Sequence, residues 1–264
     1  MSELDVLKLQ EKTDMRYEIR KSLRHGWIAP LVAMLVFGVG SACAQDIGYR
    51  GEIRLFASSY CPETQPRTED VTGRPGVGAA PLPGMRYCRN IEGDYPSDGR
   101  AWFEGYRGQI RRIEAATCPT GYAEADGRLM TVADDQGLFW LLGWAFGGNG
   151  RDNFALPKLP PDAPNMRYCV AMRGIYPTFE GEYGTDPFIG SILVVPYLRG
   201  CPEQSVDADG RELPMYQHPV LSYLLGTSFG GRYPTFRLPD LRKFAPPNIK
   251  YCLVLNGAFP LRQW

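Results

Sequence analysis

Several things are scarce in this chain, and each scarcity removes a class of function. Lys+Arg and Asp+Glu are equal at 29 each, so the formal net charge is zero. A nucleic-acid surface needs an excess of cations on one face, and this composition offers no such footprint. Histidine is almost missing, with only His25 and His218. There is no C-x-x-C pair either, which leaves thiolate zinc sites without a ligand set. No spacing singles out a carboxylate pair. No catalytic constellation and no cofactor motif is present, so neither enzyme activity nor a cofactor is expected. A secreted hydrolase is the third and weakest functional class.

Long apolar runs are also lacking. The one candidate, Trp27 to Gly40, follows Arg16, Arg20, Lys21 and Arg24. It falls short of the roughly 18 residues of a membrane span and has the layout of a secretory signal. Ala42, Cys43 and Ala44 fit a small-x-small cleavage site that leaves Gln45 first. A retained anchor helix and a lipid anchor at Cys43 are the alternatives, and Met15 competes with Met1 as the start. Residues 1–44 are therefore read as an extension plus signal peptide, and the mature chain as exported and not membrane-spanning. Secretion, the periplasm and the cell surface are the expected locations.

Glycine (30) and proline (23) are abundant. They favour many turns and short elements over long helices. Beyond Cys43 six cysteines remain, an even set that reads as a disulfide framework in an exported chain. Cys118 to Cys169 and Cys201 to Cys252 are both separated by 51 residues, within matching local sequence. The repeat pairs them so, and leaves Cys61 with Cys88. In the chain-entropy model a loop of that length stabilises by roughly 4 kcal/mol.

The repeat is wider than the cysteines. "CPTGYAEADGRLM" at Cys118 returns as "CPEQSVDADGRELPM" at Cys201, and "LFWLLGWAFGGNGRDNFALPKL" from Leu138 returns as "LSYLLGTSFGGRYPTFRLPDL" from Leu221. "RYCVAMRGIYP" and "KYCLVLNGAFP" close the two units. An abbreviated first copy keeps "GEIRLFASSYCP" and "RYCRNIEGDYP" without the apolar middle. Three repeats follow, over 45–98, 108–178 and 190–264. Each is read as α+β, mainly short strands with one short helix where the middle is kept.

The helix should start at Asp134 or Asp135, carry Leu138, Leu141, Leu142 and Ala145 as one stripe, and run about ten residues. Pro219 fits only a first turn of its counterpart. The structural turns Gly147, Gly148, Gly230 and Gly231 are expected to stop these helices. "FGGNGRDNF" lacks the lysine of a phosphate loop, and its glycines follow a helix instead of opening one. Asn149, Arg151 and Asp152 are not kept in the third copy, which makes them candidate partner contacts. Glu124/Asp126 and Asp207/Asp209 lack the other ligands of a calcium loop. Trp102, Phe103, Tyr106, Tyr183 and Phe188 lie outside the repeated motif and are candidate glycan or protein contacts, with core packing as the rival reading.

The run from Leu138 to Leu159, with Gly108, Ile110, Pro119 to Tyr122, Asp126-Gly127 and Gly174 to Pro177, resembles the phage tail collar domain of short tail fibres and microcystin-dependent-type bacterial proteins. Gly190, Ile192, Asp209-Gly210, Leu224 to Gly231 and Thr235 to Arg242 carry the same resemblance. It implies tandem, disulfide-stapled collar-like domains in a structural or adhesive module, with protein or glycan partners at a cell surface. A filament subunit that self-assembles by strand addition from the incomplete first copy is the runner-up. Here "PPDAPNMRYC" and "KFAPPNIKYC" close quickly where the family often has a longer glycine-rich stretch.

Overall fold

A computed structural model describes residues 49–62, 67–78, 80–92, 105–179 and 188–259. The signal region, Cys43, Trp102, Phe103 and Tyr183 lie outside the described residues. Ala44–Trp264 forms one compact unit.

Three five-residue strands organise that unit: β1 (Glu52–Phe56), β4 (Ile110–Glu114) and β9 (Ser191–Val195). Each begins one residue, or two in β4, after a glycine with φ near +80°, namely Gly51, Gly108 and Gly190. The strands are rich in branched side chains that suit a pleated, buried surface. They are paired with one another in a ring. Ile53 faces Arg112, Ile110 faces Val194, and Ile192 faces Leu55. Counted from the shared glycine, the third residue of each copy meets the fifth of the next. The same rule holds from copy one to two, two to three, and three back to one, so the arrangement closes with pseudo-threefold symmetry.

Each ring strand also pairs outward with the closing strand of its own copy: β3 (Arg86–Asn90), β8 (Met166–Ala171) or β13 (Lys250–Val254). A three-residue edge strand follows, β2 (Thr68–Asp70), β5 (Tyr122–Glu124) or β10 (Ser205–Asp207). The register repeats as well, since Asp70, Glu124 and Asp207 stand opposite Cys88, Cys169 and Cys252. These nine strands make one sheet. The first copy contributes three of them, and both edges of β1 are covered within the chain.

The cysteines pair Cys61–Cys88, Cys118–Cys169 and Cys201–Cys252, with Cα separations of 5.5, 5.6 and 5.6 Å. The first cysteine of each pair lies beyond its ring strand, in the loop that follows it. Tyr49, Tyr106 and Phe188, each two residues before a ring glycine, are 3%, 1% and 6% exposed. Tyr49 joins Ile113 and the second copy's cystine, Tyr106 joins Val195 and the third's, and Phe188 joins Phe56 and the first's. Each copy thus caps the next, and burying such a ring contributes about 1.5–3 kcal/mol. Tyr106 and Phe188 are consequently core residues, and their use as surface contacts is excluded.

In the second and third copies a small hairpin flanks a helix: β6 (Leu129–Thr131) with β7 (Asn153–Ala155), and β11 (Glu212–Pro214) with β12 (Thr235–Arg237). Helix α1 spans Gln136–Leu142 and α2 spans Pro219–Leu225. Asp135 caps α1, accepting the Leu138 N–H at 2.8 Å. His218 precedes α2 and makes no side-chain cap bond. Both helices are seven residues long, shorter than expected. They stop at Gly143 (φ 57°) and Gly226 (φ 54°). A glycine with positive φ there ends the helix before the later glycines are reached.

Gly147 and Gly148 therefore act in the next turn. The Gly147 N–H bonds to the Trp144 carbonyl, and the Gly147 carbonyl accepts the Ala155 N–H. Gly148 has φ +92°, and a Cβ there would lie 2.6 Å from the Phe154 Cα. Gly231 repeats this against Phe236 at 2.7 Å. Gly230, the counterpart of Gly147, has φ +99° and accepts the Arg237 N–H. The chain can double back onto β7 and β12 only where the side chain is absent.

Candidate functional site

The pseudo-threefold axis ends in a small well. Ile53, Ile110 and Ile192 line it, and the residue just before each closing-strand cysteine, Tyr87, Tyr168 or Tyr251, stands beside it. One tyrosine thus comes from each copy. The well holds about 80 Å³. Arg112 extends over the Tyr87 ring at 5.4 Å and pairs with Asp162 at 2.6 Å. Arg112 also donates to the Gly76 carbonyl at 2.9 Å, which ties the first copy's loop to the second copy.

The Tyr168 hydroxyl donates to Asp162 at 2.6 Å. Burial raises the Tyr168 phenol above the ordinary range, reinforced by that bond. Burial likewise raises Tyr87, and it pushes Tyr251 up to about 12 with help from the neighbouring Tyr87 and Asp162. At neutral pH all three are protonated donors. The well can orient an acceptor but holds no phenolate base.

A charged cluster from the same ring strands also lines this well. Glu52 is 2% exposed and accepts from Arg111 at 3.0 Å and Arg54 at 2.9 Å. Burial alone would raise its carboxyl, but Arg111 and Arg54 outweigh that and hold it at about 2. The cluster joins copies one and two electrostatically. Leu193 occupies the corresponding place in copy three.

Asn149, Arg151 and Asp152 lie on one exposed turn. The Asn149 side-chain oxygen accepts the N–H groups of Arg151, Asp152 and Asn153 at 2.9, 2.8 and 3.1 Å. Asn149 Nδ2 donates to Asp152 at 3.2 Å. Two of the three side chains are thus engaged in the turn, while Arg151 is exposed. Asp126 and Asp209 are held by Arg128 and Arg211, both at 2.6 Å. Among the described residues the one grouping with metal-ligand spacing is Cys201, Asp207 and Cys252. Its two sulfurs are bonded to each other, so it offers no thiolate.

Exposed aromatics were missed in the sequence. Trp140 and Tyr223, at matching positions of α1 and α2, are 64% and 82% exposed. Both fall on the side of the helix away from the leucine stripe, a phase that becomes readable once the helix start is known.

The geometry defines a pseudo-threefold, disulfide-stapled repeat protein built on a closed ring of strands. The phage tail collar domain family matches it twice, over residues 108–164 and 190–246. The first copy lies outside both matches. No curated protein and no solved structure matches the chain.

Proposed function

We propose that this chain is an exported structural and binding module in which three collar-like sectors, over 45–98, 108–178 and 190–264, are completed within one polypeptide. The observation that carries this reading is the closed strand ring of Ile53–Arg112, Ile110–Val194 and Ile192–Leu55. A ring closed inside the chain leaves β1 no open edge for a neighbour, so strand addition from the first copy draws no support from the geometry. Partner recognition falls to the outward surface, where Trp140, Tyr223 and Arg151 offer aromatic and cationic contacts to protein or glycan at a cell surface. Light scattering of the exported protein tests the assembly, with one-chain mass expected at every concentration and a trimer overturning it. Intact mass of the same sample tests export, with Gln45 as the expected first residue.

A further inference from the structure

We propose that Asn256 is a self-modification site: the Gly257 backbone nitrogen displaces ammonia from the Asn256 carboxamide, and the isoaspartate so formed loosens the closure of the third copy onto the first. The sequence holds two Asn-Gly pairs, Asn149-Gly150 and Asn256-Gly257. A glycine after asparagine leaves the backbone nitrogen unshielded by a Cβ, so both pairs carry this chemistry in the unfolded chain. The fold separates them. At Asn149 every reacting group is held. Its side-chain oxygen accepts three backbone N–H groups and its Nδ2 donates to Asp152, so turning the carboxamide onto the Gly150 nitrogen breaks four hydrogen bonds. The Gly150 N–H is itself engaged, donating to the Asn153 carbonyl at 3.0 Å.

Asn256 is exposed, just past the end of β13. Among the described residues neither its carboxamide nor the Gly257 N–H has a hydrogen-bond partner. Counted from the closing-strand cysteines, Glu92 holds this position in the first copy and Arg173 in the second. Glu92 accepts from Arg67 there at 2.7 Å, so the turn accommodates a carboxylate. In the reaction the Gly257 nitrogen gives its proton to hydroxide and bonds to Asn256 Cγ. The bond from Cγ to Nδ2 breaks, and ammonia leaves with a proton taken from water. Water then opens the cyclic imide at one of its two carbonyls, giving aspartate or isoaspartate.

Isoaspartate routes the main chain through the side chain and lengthens it by one carbon–carbon bond, about 1.5 Å. Two residues on, Ala258 bridges Phe188, and its carbonyl accepts the Ile189 N–H at 2.9 Å. Phe188 packs with Phe56 over the first copy's cystine. A displacement of that size carries the Ile189 bond beyond hydrogen-bonding range, so the modification falls on the cap that the third copy places on the first. The second copy supplies the control. Its Ile175 carbonyl accepts the Arg107 N–H at 2.9 Å, and the residues ahead of it are Arg173 and Gly174, which cannot cyclise.

The test ages the full, disulfide-bonded chain in mildly alkaline buffer and follows both asparagines by peptide mass mapping. Asn256 should convert at least tenfold faster than Asn149, and Asn256→Gln should remove the fast phase. In the reduced, urea-unfolded chain the two rates should become similar, because the turn around Asn149 is gone. Hydrogen exchange is then read on the isoaspartyl form after chromatographic separation. The Ile189 amide should exchange at least tenfold faster than in unaged protein, with the Arg107 amide unchanged. Asn256→Asp, which keeps the normal backbone, should leave Ile189 at its original rate. Conversion of Asn149 as fast as Asn256 in the folded chain, or a slow Asn149 in the unfolded one, overturns the assignment of the site. An isoaspartyl form with unchanged Ile189 exchange overturns the link to ring closure.

Discussion

Glu52→Gln tests how the copies are held together. The carboxylate is 2% exposed, and its partner Arg111 has a side chain 3% exposed. Lowering a carboxyl from 4.5 to about 2 corresponds to roughly 3 kcal/mol of stability above pH 4.5. Removing one member of a buried pair strands the other, at a cost of about 3–5 kcal/mol. The sign follows from the depressed folded value. The contribution is complete above the unfolded value and disappears as pH falls from 4.5 towards 2. Urea unfolding of wild type and Glu52→Gln at pH 7 should differ by about 3 kcal/mol, and the gap should narrow at pH 3. Importing the third copy's residues, as Glu52→Ser, Arg54→Leu and Arg111→Leu together, should recover at least half of the loss, because apolar packing can replace a buried ion pair. A single variant within about 0.5 kcal/mol of wild type, or one with unchanged pH dependence, would refute the reasoning.

Other outcomes are open to measurement. Joint replacement of Cys201 and Cys252 by alanine should cost about 2–5 kcal/mol in urea titration, because a long loop is released in the unfolded chain. Gly148→Val should abolish cooperative thermal unfolding, since its Cβ would meet backbone at 2.6 Å, whereas Arg151→Ala on the exposed turn should leave the melting temperature within about 2 °C. Absorbance titration of the phenols should show Tyr251 ionising near 12, and Tyr251→Phe should remove that step. Normal titration of all tyrosines near 10 would contradict the burial of the axial well.

Much of this architecture was legible because the chain repeats itself. The equal spacing of Cys118–Cys169 and Cys201–Cys252 chose two cystines, and "DG" with the leucine triads located the turns and helices. Local patterns fell short at the helix ends. Gly143 and Gly226 sit inside the apolar run and look like tolerated interior glycines, yet each takes a positive φ that ends the helix. The Arg111–Glu52 pair has no signature in the sequence, because only the ring brings the two within reach. Ring closure depends on pairings between residues far apart in the chain, as at Leu55 and Ile192, and periodicity reports only nearby residues. The axial well shares that origin, since it is assembled from all three copies and is a motif of none.

The most direct test of the single-chain ring is an isotope-filtered nuclear Overhauser measurement across the Leu55–Ile192 and Ile110–Val194 pairs. In the uniformly labelled protein both contacts should be present. In an equal mixture of labelled and unlabelled chains, refolded together, the signals between unlike chains should be absent. Cross-peaks between labelled and unlabelled chains at these pairs would show that separate molecules build the ring, and would contradict the account.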